Sequence, residues 1–487
     1  MTRILLWYRR DLRLHDHEPL ATAIAQSADL IPLYCFDPRA FGQTAFGFPK
    51  TGAFRAQFLL ESVAELRAQW QARGSNLLVR WGKPEVIILE LVETQSIDAV
   101  YGAAEVTSEE TRVERKLTKA LGTVPLRLFE LTTLIHPTDL PWAIAEIPGL
   151  FTRFRKTVEQ NWQIRPLQPT PQILPSLPPD LDPGQLPTWE RLNLTPPPRD
   201  DRGVLPFHGG EAASLDRLHQ YFWERDRLRS YKETRNGMLG VDYSAKFSPW
   251  LALGCLSPRY IYTQVRTYEA ERVANDSTYW LIFELLWRDY FRFIAQQGGD
   301  RLFKPEGLQG IKLPWQQAQP QFERWCQGQT GYPLVDANMR ELEATGFISN
   351  RGRQNVASFL TKNLGIDWRM GAEWFEYLLI DYDVCSNYGN WNYTAGVGND
   401  ARGFRYFNIL KQSQIYDLQG DYVRHWLPEL AALPPHLVHQ PWRLNREEQT
   451  RYQVRLGVDY PQPMVDFFKS VKHYEAIYNK AVEASSK

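Results

Sequence analysis

Residues 4–20 read ILLWYRRDLRLHDHEPL, and the way this stretch ends decides how the N-terminal third folds. Ile4 to Tyr8 is a short apolar run of the kind a buried parallel strand uses. No glycine turn follows it; Arg9-Arg10-Asp11-Leu12-Arg13 comes instead. A dinucleotide-binding strand needs glycine there, so that the backbone can approach a pyrophosphate. The sequence therefore predicts a parallel sheet that does not use that phosphate mechanism. Working outward, residues 30–36, 76–81, 99–101 and 126–129 read as further strands. Helical periodicity occupies 54–73, 85–93 and 109–120 between them. This alternation predicts a doubly wound parallel sheet.

Residues 163–206 hold 12 of the 33 prolines, so neither a helix nor a central strand can form there. Beyond Glu211 strand signals vanish. Apolar residues fall at helical spacing over 215–229, 258–274, 278–297, 334–345, 350–363 and 372–380. Ser257 before Pro258 predicts an N-cap with proline at the first helical position. The expectation is an α/β domain over 1–135, a Pro-rich connector over 136–208 and an all-α domain over 209–487. The last helical pattern is expected to stop near Asp466, leaving a polar tail.

Bulk properties narrow the function. At 487 residues, 43% hydrophobic and 23% charged, the chain matches globular protein of two or three domains. No apolar run would span a bilayer, and MTRILLWYRR runs directly into a strand, so no membrane partner and a cytoplasmic location are expected. Four scattered cysteines without a C-x-x-C argue against a disulfide framework or a zinc site. Net charge is +0, so any nucleic-acid contact must come from a local basic patch.

NYGNWNY, Asn387 to Tyr393, carries the most chemistry, with Asp381 and Asp383 expected on a helix just before it. Two carboxylates, an amide and large aromatics converge without metal ligands or a nucleophile. That pattern fits a cage for a planar redox cofactor that supplies the difficult chemistry. Ser244-Ala245-Lys246-Phe247-Ser248 offers hydroxyls, a cation and N–H groups for a pyrophosphate at a helix start, with Tyr231 upstream. Glu284, Trp287 and Arg288 share one helix face, which reads either as an i,i+4 ion pair beside a core indole or as a platform for a flat base. Asn350 and Arg353 open another helix, and Asp383 is the expected partner of Arg353. Gly396 to Ala401 matches G-x-G-x-x-A but follows no strand, so it fails as a nucleotide site.

Five stretches in order, WYRRDLRLHDHEPL, YKETRNGMLGVDYSAKFSPWLALGCLSPR, ELLWRDYFRF, TGYPLVDANMRELEATGFISNRGRQNVASFL and DYDVCSNYGNWNY, resemble the photolyase/cryptochrome family. In detail they are most similar to the DASH cryptochromes. The resemblance implies FAD held by Tyr231, Ser244 to Ser248, Arg288, Asn350, Arg353, Asp381, Asp383 and Asn387, the last facing flavin N5. It implies an electron relay through Trp391, Trp368 and Trp315. It also implies a folate antenna, 5,10-methenyltetrahydrofolate, with glutamates near Glu109 as contacts. DNA phosphates would meet Arg235, Arg351 and Arg405, with Arg402 and Lys411 nearby.

At the pocket where the family takes a pyrimidine dimer, Glu284 and Trp287 match. Tyr393 stands where cyclobutane-dimer photolyases carry a second stacking Trp, Gln354 where they carry Met, and Phe347 where they carry Trp. Two readings follow: a blue-light photoreceptor that binds DNA as a monomer with little duplex repair, or a dimer-splitting lyase acting on single strands.

Overall fold

The computed structural model describes residues 2–26, 29–400 and 403–485. Its sheet has five parallel strands, β1 (Arg3–Tyr8), β2 (Asp29–Phe36), β3 (Leu78–Trp81), β4 (Ala99–Ala103) and β5 (Leu126–Phe129), in the order β3-β2-β1-β4-β5. Helices Ala53–Ala72, Pro84–Gln95 and Ser108–Leu121 form the crossovers that the periodicity predicts. The short Glu18–Ala25 helix is additional. His17 caps it by accepting from the Leu20 N–H at 3.2 Å, with Pro19 in the first turn.

The strand order reverses between β1 and β4, where doubly wound sheets open a crevice beyond their C-terminal ends. Here Arg9 fills that crevice, donating to Ala103 O at 2.8 Å and pairing with Glu114. The residues that replace the glycine turn serve to dock the second half of the chain. Leu12 N–H donates to Leu253 O at 3.1 Å and Arg13 to Gly254 O at 2.9 Å. His15 meets Glu211 at 2.7 Å, and Asp16 pairs with Arg259 at 2.7 Å. Gly254 is needed for this approach: it has φ +67°, and a Cβ there would lie 2.1 Å from Arg10 O.

No helix or strand occupies 163–206, in line with its prolines. Upstream, Phe151–Asn161 is a helix whose Phe151, Phe154 and Val158 are buried. From Glu211 onward the described elements are helical. Ser257 caps Pro258–Glu271 as expected, accepting from Arg259 N–H at 3.2 Å and Tyr260 N–H at 3.3 Å. Two helices run into wide i→i+5 turns, Gln220–Glu224 and Phe359–Asn363. The expected polar tail is a correction: Phe467–Ser485 is a helix that buries Phe467, Val471 and Tyr478. Those residues recur at helical spacing between charges, and the surrounding polarity masks the stripe. Tyr478 anchors this helix by donating to Gly396 O at 3.0 Å.

One hydrophobic core runs from the inner sheet face into the helix Asp276–Gly298, and a second fills the helical half. The long helix ties the halves together. Asp289, pushed up to about 7 by burial, accepts from the Leu134 and Ile135 N–H groups at 3.0 and 2.8 Å. Arg292 donates to Ala104 O at 2.6 Å and pairs with Glu105 at 3.1 Å. No helix of the described residues is long and apolar enough to cross a membrane.

Candidate functional site

A cavity of about 530 Å³ opens between the helices that carry the sequence motifs. Every residue singled out for FAD, the dimer pocket or a direct DNA-phosphate contact lines it, from Tyr231 and Ser244 to Tyr393 and Arg405, whereas Glu109 and Lys411 do not; among the tryptophans assigned to a relay only Trp391 does. Residues far apart in sequence thus share one volume.

The floor comes from the turn between Trp368–Leu378 and Val384–Ala395. Asp381 and Asp383 lie in this turn, which corrects the expectation that they are helical. Asp383 is the N-cap, accepting from Ser386 N–H at 2.7 Å. Burial opposes its ionisation, but Arg288 and Arg10 outweigh that and hold its carboxyl below the usual range. A second correction concerns Arg353, which pairs with Asp381 at 2.8 Å and not with Asp383. Capping occupies Asp383, whereas Asp381 is free to turn toward the Asn350–Ser358 helix. Asn387 donates its amide N–H to Ala372 O at 3.0 Å, which leaves its Oδ1 as the polar atom available to the cavity.

The Ser244–Ser248 segment forms one wall. Lys246 has φ +57° and Phe247 is right-handed, an alternation that turns successive N–H groups toward one point and forms an anion-binding concavity. The ammonium of Lys246 does not face that point. It donates to Val241 O at 2.9 Å and Gly240 O at 3.2 Å, and burial lowers its pKa to about 6.

At the mouth, of the two readings left open for this helix face, the Glu284–Arg288 ion pair is not formed. Arg288 donates to Thr132 O and to Leu251 O, stitching the pocket to the sheet domain. Glu284 pairs with Arg235 at 2.6 Å, and burial raises its carboxyl while Arg235 opposes. Trp287 stacks on Phe151 with centroids 3.7 Å apart and planes 15° apart, and meets Tyr393 edge-on at 6.1 Å. Gln354 accepts from Arg351 at 3.0 Å, and Arg351 also donates to Asn236 at 2.9 Å. Arg405 lies 3.9 Å from Asp400. Arg402 falls outside the described residues. Phe151 was missed by sequence reasoning; its spacing with Phe154 and Val158 was the available signal.

From the cavity wall, indoles lead outward. Trp391 is 2% exposed, Trp368 is fully buried and Trp315 is half-buried. Trp368 and Trp315 donate to the same acceptor, Pro305 O, at 3.1 and 2.9 Å. Gly371 lets Trp391 sit tight against its helix, since a Cβ there would fall 2.2 Å from the indole. The G-x-G-x-x-A match is a helix end: Gly396 has φ +81° and caps Val384–Ala395, which rules it out as a phosphate-binding helix start.

A sheet domain docked on a helical cage of this composition defines a photolyase-type flavoprotein. The sequence matches the DNA photolyase family over residues 4–176 and the FAD binding domain of DNA photolyase over residues 280–480. It is 64% identical to the cryptochrome DASH of Gloeobacter violaceus, covering 99% of this chain and 96% of that one. The crystal structure of a Synechocystis cryptochrome superposes with TM-score 0.96 at 56% identity, over 98% of this chain and 99% of that one. A class III photolyase from Agrobacterium tumefaciens gives TM-score 0.87 at 27% identity, over 99% and 98%. The chain belongs to the DASH cryptochromes.

FAD is therefore its cofactor, and the cavity suits it. Asp381 Oδ1 and the Tyr243 hydroxyl are buried without a hydrogen-bond partner, and both residues line the cavity. Buried polar atoms are seldom left unpaired, so both call for a polar ligand. The hydroxyls of a flavin dinucleotide answer that need.

Proposed function

We propose that the protein is a blue-light photoreceptor that binds DNA, acts as a light-linked regulator and repairs duplex DNA little or not at all. When bound, FAD supplies light absorption and one-electron chemistry. In this reading the N–H groups of Ser244 to Ser248 hold the pyrophosphate, Asp381 and Arg353 hold the sugar and flavin edge, and Asn387 presents its Oδ1 to the flavin. Tyr231, Arg288, Asn350 and Asp383 complete the cage. Trp391, Trp368 and Trp315 pass electrons inward. A folate antenna would occupy the cleft between the halves, where Glu109 pairs with Lys50 at 2.6 Å and Glu373 accepts from Phe46 N–H at 2.9 Å. The four cysteines are free and buried, which favours a reducing cytoplasm.

The observation that carries the reading on repair is the covered indole at the mouth. One face of Trp287 is taken by Phe151, and Tyr393 offers less stacking area than a second indole. Extruding a base from a duplex costs base-flipping enzymes, photolyases among them, a few kcal/mol, while each aromatic stack returns only about 1–3 kcal/mol. Single strands avoid most of the cost. A second reading, a lyase on single-stranded dimers, is favoured by Glu284 and Trp287 lying in the same cavity as Asn387. Illuminating the holoprotein with dimer-containing single-stranded and duplex oligonucleotides tests both. Efficient duplex repair would overturn the first reading, and no repair of either substrate would remove the second.

A further inference from the structure

Tyr388 follows Asn387 in the motif and has no place in the cofactor cage or the tryptophan relay. It is 8% exposed, on Val384–Ala395. Its ring meets Trp368 edge-on, with centroids 6.1 Å apart and planes at 81°, and Phe303 packs on it at 4.8 Å. Its hydroxyl points at Glu376, 3.5 Å from Oε2. Glu376 is 9% exposed and belongs to the same helix as Trp368.

A phenol yields an electron to an oxidised indole at neutral pH only when its proton leaves too. A buried phenol without a base is therefore inert, and one aimed at a carboxylate is not. We propose that Tyr388 is a redox-active branch of the relay, oxidised by Trp368 with Glu376 as its proton acceptor. The proposal rests on the relay reading, in which light-excited FAD is the oxidant and Trp391 and Trp368 are oxidised in turn. One electron passes from Tyr388 to the Trp368 radical cation, which returns to the neutral indole. The Tyr388 O–H bond breaks and the proton bonds to Glu376 Oε2. A neutral phenoxyl radical and a neutral carboxylic acid remain.

The surroundings favour the acceptor. Burial raises the carboxyl of Glu376, making its ionised form a stronger base, while Arg55 and Lys50 from the sheet domain oppose that rise by favouring the charged form. Glu373 on its own helix, Glu109 across the cleft and Tyr382 from the cavity turn are the other titratable groups there. The Gly52 N–H donates to Tyr377 O at 2.8 Å beside this group, so neutralising Glu376 changes the charge balance at the junction between the halves. The branch converts light into a local electrostatic change there.

Transient electron paramagnetic resonance on the illuminated holoprotein, grown with ring-deuterated tyrosine or tryptophan, tests this. The wild type should give a tryptophanyl signal followed by a phenoxyl signal whose hyperfine pattern responds to deuterated tyrosine. Tyr388→Phe should lose the phenoxyl signal and keep a longer-lived tryptophanyl one. Glu376→Gln should do the same, since an amide cannot take the proton. Absence of a phenoxyl signal in the wild type beside a normal tryptophanyl one, or its survival in Tyr388→Phe, would overturn the branch. Its survival in Glu376→Gln would overturn the assignment of the base. Absence of the tryptophanyl signal as well would instead mean that the relay itself is wrong.

Discussion

Replacing Gly371 with Ala should disturb Trp391, the first indole of the proposed relay, through direct overlap with its ring. The added Cβ would lie 2.2 Å from Cη2 of Trp391 and 2.7 Å from Cδ2 of Leu360. Carbon atoms pack at about 3.5–4.0 Å, so the indole must retreat by roughly 1 Å or more. Phe375, at 5.1 Å, and Trp325, at 6.4 Å, block retreat into the core, which leaves the cavity as the open direction. Overpacking of this kind costs about 1–3 kcal/mol, and the better helix propensity of Ala returns about 1 kcal/mol at most. The expected net loss is up to about 2 kcal/mol by urea unfolding of the apoprotein. If the intruding indole costs bound FAD a similar amount, affinity falls about tenfold, since every ~1.4 kcal/mol is a factor of ten. Light-driven flavin reduction should slow as well. Gly149→Ala is the control, because its nearest neighbour, Asn399 Nδ2, is an ordinary 3.8 Å away. Wild-type stability, FAD affinity and photoreduction in Gly371→Ala would refute the reasoning.

Three further outcomes are expected. Arg353→Ala leaves the Asp381 carboxylate buried without its partner and should cost about 3–5 kcal/mol in urea unfolding; a loss below ~1 kcal/mol, the range of an exposed pair, would count against it. Arg351→Ala and Arg405→Ala should weaken single-stranded DNA binding equally across sequences and flatten its salt dependence by about 0.7 per lost phosphate contact; loss on one sequence alone would point to base readout. Lys362 is buried, donates to Ala395 O at 2.6 Å, and burial lowers its pKa to about 7 against the weaker pull of Asp400. An unfolded lysine stays charged up to about pH 10.4, so the unfolded state holds the extra proton between these values, and stability falls as pH drops through that window. Lys362→Met should gain melting temperature over the wild type as pH falls from ~10 to ~7 and no further below; a constant offset would refute this.

The sheet was legible because its strands are buried on both faces and read as unbroken apolar runs, such as Leu30 to Phe36. The helices of the second half were legible by periodicity, and the site residues by long motifs. What escaped was set by tertiary contact. Nothing local marks Phe151 as the ring that covers Trp287, or Gly371 as the gap that admits Trp391. The choice of Asp381 over Asp383 for Arg353 was hidden because capping is a property of the turn, not of the residue type. The partners of Arg288 were not legible because they are the carbonyls of Thr132 and Leu251, which no side-chain pattern reports. The final helix was hidden by the charges that separate its buried residues.

The contacts that Arg288, Asp289 and Arg292 make across the junction bear on how such chains can be recombined. Arg288 reaches Thr132 O, Asp289 reaches the N–H groups of Leu134 and Ile135, and Arg292 reaches Ala104 O. All four partners are main-chain atoms, so they keep their chemistry whatever side chains a donor sequence brings. Among these contacts only Glu105 and Glu130, the ion partners of Arg292 at 3.1 and 4.0 Å, depend on residue identity. A chimaera that takes its sheet domain from a distant relative should therefore dock on this helical half if the 130–135 backbone path, acids at 105 and 130, and the His15 and Asp16 partners of Glu211 and Arg259 are retained. At its main-chain contacts the junction tolerates drift in sequence while holding the sheet domain fixed against the cofactor cage.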